Sequence, residues 1–170
     1  MGRQMGFDFG LENQDTCFKR KFRWMLTIDG ISADQNSVNS LPPMKSARPN
    51  ISFKEMEVKH LVENIYYPAR PDWKPLTLVL YDIKKDEHPV FEWIQTIYDV
   101  SVNGNWFPSG ENEFKKEARL ELYDGCGNVI ETWIYENAWP QTVDFGEMDM
   151  GDSSYMTADI TLRYDRAFID

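Results

Sequence analysis

The sequence has 170 residues, enough for one domain with a real hydrophobic core. A hydrophobic fraction of 42% argues against general disorder, and an aromatic fraction of 14% favours a β-rich fold. With 18 basic against 28 acidic residues the formal charge is −10, which argues against a surface that grips nucleic acid but not against one past which nucleic acid slides.

Residues 1–16 are rich in Gly, Asp and Asn and have no period. They read as a flexible arm that orders only against a neighbour. They lack the charged-then-apolar layout of a secretion signal, and no apolar run reaches the ~18–20 residues that span a membrane. The expectation is a chain that stays where it is made and inserts into no membrane. Residues 18–29 alternate as one long strand. Phe18, Phe22, Trp24, Leu26 and Ile28 share a face, against Lys19, Lys21, Arg23, Thr27 and Asp29. Given the overall charge, the basic cluster reads as a solvated or salt-bridged face rather than a phosphate contact. Residues 31–46 are polar, and Leu41-Pro42-Pro43-Met44 forces an extended, kinked connection.

Residues 48–58 alternate again, with a phase slip at Lys54-Glu55 that predicts a bulge or bend. Residues 59–75 place His60, Leu61, Ile65, Tyr66, Tyr67 and Trp73 beside prolines. This pattern suits a loop that docks onto a partner, although a lid folded back on its own chain would look similar. Residues 76–81 form a strand with Leu76, Leu78 and Leu80 on one face. A helix is expected from Pro89 to about Val100, with proline at its first position and Asp86 and Glu87 ahead of it. Its packed face is expected to hold Val90, Ile94, Ile97 and Tyr98, with Phe91 and Ser101 at the edge. Residues 102–117 read as a loop.

The chain is organised around residues 118–164. Ala118, Leu120 and Leu122 alternate with Arg119, Glu121 and Tyr123, and a second strand begins at Val129. Between them, Asp124-Gly125-Cys126-Gly127-Asn128 supplies the backbone freedom of a tight hairpin. Trp139-Pro140 is expected to end the second strand, because proline cannot donate to a ladder. A final strand carries Met156, Ala158, Ile160, Leu162 and Tyr164 on one face and Thr157, Asp159, Thr161 and Arg163 on the other. The expected fold is mainly β: one helix on an antiparallel sheet of about seven strands curled into a sandwich or barrel.

The order of these features resembles the tail tube proteins of contractile-tailed bacteriophages. Asp124 and Gly127 in a turn, a strand closed by Trp139-Pro140, an acidic segment and the strand over 158–164 match the typical ending of that family, and Leu41-Pro42 matches its early "LP" segment. The resemblance spans the chain as a single tail-tube (Hcp-like) domain. It implies a structural virion protein whose hexameric rings stack into the inner tail tube through which DNA is ejected. The implied partners are further copies of the chain, the tail sheath, and baseplate and tape-measure proteins; the implied location is the virion tail, after assembly in the host cytoplasm. A closely related alternative is the tube of a phage-derived contractile injection or secretion system.

On that reading the acidic balance gains a use, since an anionic lumen wall lets DNA slide. Repulsion reaches only about 8 Å at physiological salt, so it acts as a lining. The candidate lining residues are Glu121, Glu131 and Asp159, and residues 59–75 are the candidate contact between rings.

Catalytic motifs are missing. His60 and His88 have no nucleophile or metal-binding context, and Cys17 and Cys126 belong to no CxxC pair. Asp144, Glu147, Asp149 and Asp152 lack the order of a calcium loop. Glu121 and Glu131 are the best carboxylate pair for hydrolysis, but chance pairs are common on so acidic a chain. No enzyme activity, cofactor or metal is expected. A further alternative is a monomeric β-barrel that holds an apolar ligand against Trp24, Trp133 and Tyr135.

Overall fold

The computed structural model describes residues 19–32, 40–84, 86–100, 104–110 and 113–170. The expected arm over 1–16, Phe18, Cys17 and the helix-edge Ser101 lie outside the described residues.

The strands are β1 (Trp24–Ile28), β2 (Pro43–Lys45), β3 (Ile51–Lys59), β4 (Asn64–Trp73), β5 (Leu76–Tyr81), β6 (Lys116–Tyr123), β7 (Val129–Asp144), β8 (Thr157–Arg163) and β9 (Arg166–Ile169), with one helix, α1 (Pro89–Ile97). The main sheet is seven-stranded, in the order β1-β6-β7-β8-β5-β2, with β9 continuing β8 along the side of β7 away from β6. All its strand pairs are antiparallel. The sheet curls until its two edges approach. Ser32 bridges Ile28 at the end of β1 and Leu41 just before β2, closing one end of the seam. The Ser32 hydroxyl donates to the Leu26 carbonyl at 3.2 Å, which satisfies it inside the core.

The alternation seen in the sequence becomes the core. Leu26 and Ile28, Leu76, Leu78 and Leu80, Ala118 and Leu120, and Ala158, Ile160 and Leu162 all point inward and are buried. Each such leucine or isoleucine contributes about 1.5–3 kcal/mol through removal from water. The β6–β7 turn forms as expected. The Asp124 carboxylate accepts the amides of Cys126 at 2.7 Å and Asn128 at 2.9 Å, and Gly127 takes φ +92°. The Asn128 side-chain amide, which donates to the same carboxylate at 3.0 Å, and these backbone bonds hold the Asp124 carboxyl below the usual range.

Several expectations change. The first strand shortens to β1, because its partner β6 turns away after Leu122 and Tyr123; Phe22 is left exposed. A short edge strand, β2, stands where only a kinked connection was expected. Trp139-Pro140 does not end β7. The strand changes partners there: β6 pairing stops at Ala138 and β8 pairing begins at Trp139. Past Ala138 β7 pairs with β8 on one side only, an edge setting in which proline is tolerated, and a bulge follows. The helix ends at Ile97, and its largest buried residue is Trp93, absent from the expected face, beside Val90, which is buried as expected. Trp93 Nε1 donates to the Phe114 carbonyl at 2.7 Å, while Phe91 is exposed. The loop after α1 is pinned by aromatic contacts running from Tyr98 through Trp106, Phe107 and Phe114 to Trp139.

Candidate assembly surfaces

The residues expected to dock do not form a loop. They make the tip and the second strand of the hairpin β3–β4, which stands off the main sheet as a separate two-stranded ribbon. Its register pairs Met56 with Tyr67 and Val58 with Ile65 on one face, and Glu57 with Tyr66 on the other. The phase slip at Lys54-Glu55 is a bulge between Phe53 and Glu55. A two-stranded ribbon has no third element to cover it, and this one keeps its apolar residues in solvent. Leu61 is 99% exposed, Val62 88%, and Phe53, Met56, Ile65, Tyr66 and Tyr67 are all exposed. His60 sits at the tip, its amide donating to the Glu63 carbonyl. Trp73 differs from the rest of the set. It lies at the root, packs against the core and meets the Tyr164 ring at 6.0 Å. Nearby, Lys74 donates to Asp72 at 2.7 Å and holds that carboxyl below its ordinary range.

The three acidic candidates do not share one face. In the β6–β7 register Leu122 opposes Glu131, whereas Glu121 opposes Thr132. Neighbours across a ladder point the same way and successive residues point oppositely. Glu131 therefore lies on the core side, with Leu122 and Trp133, and Glu121 on the outer side. The Glu131 side chain is only 8% exposed; it pairs with Lys19 and with Arg48, at 3.7 Å in the latter case. Trp133 Nε1 also donates to it, at 2.5 Å. The expectation of Glu121 and Glu131 as a joint acidic lining is corrected on this geometry. Glu121 accepts from the Tyr123 hydroxyl at 2.5 Å, and the Tyr123 phenol is pushed up to about 12 chiefly by that bond. Asp159 is exposed on the outer side of β8, directly across from Asp144 of β7.

His88 precedes α1; its Nε2 lies 3.4 Å from Asp82 and its ring meets Phe145 edge-on. Cys126 is an exposed free thiol in the β6–β7 turn. Among the described residues no group of His, Cys, Asp and Glu is arranged to hold a metal ion, and no helix is long and apolar enough to cross a membrane. Tyr135 and Trp133, proposed to line a ligand site, serve packing instead. Tyr135 is fully buried, its hydroxyl donates to the Ala47 carbonyl at 2.9 Å, and Trp133 packs against the core.

Two features were not read from the sequence. One is a cleft of about 430 Å³ where the β1–β2 seam stays open, lined by Arg20, Lys21, Trp24, the 45–48 segment, Leu120 and Leu122. It depends on two edges meeting in space, which no local pattern reports. The other is the β7–β8 connection, residues 145–156, which carries exposed Met148, Met150 and Tyr155 among acids. Its alternation of Met and Asp was visible as an acidic run, but the exposure of the methionines was not.

No protein-family model matches the chain. The chain is 26% identical over 159 residues to the tail tube protein of Serratia phage KSP90, the match covering 89% of each. Among solved structures it superposes on a chain of the anti-feeding prophage tube-terminating cap with a TM-score of 0.72, at 18% identity, covering 97% of this chain and 99% of that one. It superposes on a chain of the sheath/tube terminator of an extracellular contractile injection system at 0.65, with 19% identity over 88% and 94% of the two chains. For the sheath–tube complex of the same kind of system the values are 0.61 and 17%, over 89% and 90%. The resemblance drawn from the order of strands and turns is thus borne out: in sequence the chain is related to a phage tail tube protein, and in fold it matches chains of contractile injection assemblies.

Proposed function

We infer that the protein is a structural subunit of the inner tube of a contractile tail, its copies closing into hexameric rings that stack into a hollow conduit for DNA. The observation that carries this reading is the β3–β4 hairpin. It leaves one apolar face, Tyr66 on the other face and an apolar tip uncovered in a lone subunit, which is a liability unless another chain covers them. The open edges of β1 and β2 are its second support, since an uncovered edge is a template for pairing with another copy. On this reading His60, Leu61, Ile65, Tyr66 and Tyr67 contact the next ring, while Trp73 fixes the hairpin to its own subunit. Closure within a ring and open stacking between rings are the two kinds of interface that a tube requires.

Glu121 and Asp159 are the outward acids proposed to face the channel, with Asp144 beside Asp159. Carboxylates there keep phosphates off the wall and remove the salt-dependent grip that a basic wall imposes. The subunit performs no chemistry; the sheath and baseplate act on the tube as a rigid part of the virion tail. A tube in a phage-derived injection or secretion system would use the same surfaces.

Negative-stain microscopy and sedimentation of the purified chain test the reading. Rings that stack into tubes are the expected result. A species that remains at 20.0 kDa at high concentration overturns it.

A further inference from the structure

We propose that the open, basic end of the β1–β2 seam is a socket for the acidic, methionine-bearing β7–β8 connection of a second copy, and that this contact fixes how rings stack. The proposal rests on the tube reading and names a partner for a surface which that reading leaves unassigned.

The socket is built from both edges of the sheet. Trp24, Leu120 and Leu122 give it an apolar floor, and Arg20, Lys21, Lys45 and Arg48 give it a basic rim. Arg48 is partly neutralised by Glu131. Arg20, Lys21 and Lys45 have no ion pair among the described residues. The Ser46 hydroxyl at the same site is shielded from solvent and has no hydrogen-bond partner there. A cleft with an apolar floor, uncompensated cations and an unused hydroxyl selects an occupant that carries apolar side chains between carboxylates.

Residues 145–156 have that composition. Met148, Met150 and Tyr155 are exposed by 87%, 109% and 86%. Glu147, Asp149 and Asp152 alternate with them, and two short turns give the segment a fixed shape: the Gly151 amide donates to Asp149 at 2.8 Å and the Ser154 amide to Asp152 at 2.9 Å. Methionine side chains adapt to an irregular apolar floor, and opposed charges set the register.

Topology decides that the occupant is another copy. Tyr81 opposes Thr157 and Asp144 opposes Asp159, so the acidic segment leaves the barrel at that end. Leu76 opposes Leu162, and Leu122 opposes Glu131, at the other end. β2 runs from Pro43 beside Leu80 toward Lys45 beside Val79, which carries residues 46–48 and the socket to this second end. Plug and socket therefore sit at opposite ends of one subunit and cannot meet within it. A head-to-tail contact between copies joins them, and such a contact does not close on itself.

Paired charge reversals test this. Glu147→Lys with Asp149→Lys reverses the plug; Lys21→Glu with Lys45→Glu reverses the socket. Each pair alone is expected to cut the fraction of protein in stacked tubes by about tenfold, and the chain carrying all four changes to recover it to within about twofold. Recovery also shows that the variants fold. A second measurement joins Ala47→Cys in one copy to Met148→Cys in another: oxidation is expected to give a disulfide between copies in assembled tubes. Tubes that form normally with either pair reversed overturn the plug and socket while the tube reading stands, as does a socket that holds an oligonucleotide in a reversal-sensitive way. A wild-type chain that forms no tubes overturns the tube reading itself.

Discussion

Glu131 and Glu121 are ten positions apart in a chain full of acids, yet their surroundings give them opposite uses. Glu131 is nearly buried and holds Lys19, Arg48 and the Trp133 indole in place. Replacing it by alanine strands those donors, and a loss of about 1–3 kcal/mol is expected in urea unfolding. Glu121→Ala, on the outer face, is expected to cost less than about 1 kcal/mol. Equal losses at the two positions would contradict the face assignment. In the turn that joins their strands, Gly127 holds φ +92°, where a Cβ is strained although nothing lies within 4 Å. Gly127→Ala is expected to lower stability by about 1 kcal/mol or more from backbone strain alone. At Gly125 the nearest atom to an added Cβ is the Arg23 guanidinium at 3.0 Å, the free end of a flexible side chain. Gly125→Ala is therefore expected to be the milder change, and a denaturant midpoint for each variant ranks them.

At the scale of elements, strands with one inward face were legible because period-2 alternation survives folding: β5, β6 and β8 match the expected positions of Leu76, Ala118 and Ala158. β2, β9 and the continuation of β7 were not, since each depends on a partner far away in sequence. Pro140 reads locally as a stop, but β7 passes through it while exchanging β6 for β8. The exposed apolar character of residues 59–75 was legible in composition and their conformation was missed, because prolines beside aromatics suggest a loop unless a partner strand with a bulge is known. Helix α1 was legible in position, but its depth was not: a period-3.6 face does not say that Trp93 finds the Phe114 carbonyl. Trp93→Phe keeps much of the packing and orphans that carbonyl, so a loss of about 1–3 kcal/mol is expected in chemical denaturation. The hairpin tip behaves oppositely. Leu61→Ser with Val62→Ser is expected to shift unfolding by less than about 0.5 kcal/mol, because both are exposed in the subunit, while stacking is lost. A melting curve beside a micrograph separates the two effects.

For the whole molecule, the polar pairs contribute a pH dependence to the fold. Asp72, Glu136 and Asp152 are held below their ordinary values, by hydrogen bonds to Lys74, Arg166 and Ser154 respectively, as Asp124 is by its turn. A lowered carboxyl stabilises the fold above its unfolded value, about 3.9–4.3, and that contribution drains away as pH falls through the folded one. Acid unfolding is therefore expected to set in below about pH 4, where the unfolded chain binds more protons. The alkaline side carries the opposite sign. Tyr123 is raised to about 12 by its bond to Glu121, and burial keeps the Tyr135 and Tyr164 phenols protonated. Unfolded tyrosines ionise near about 10, so the folded chain holds more protons above that pH and stability declines toward 12. Tyr123→Phe removes one of these phenols and its hydrogen bond together. The variant is expected to be less stable than wild type at neutral pH and to lose less between pH 10 and about 12, so the two alkaline curves converge. Parallel curves in a urea series across that range would mean that the Glu121–Tyr123 pair on the outer face does not govern the alkaline limb.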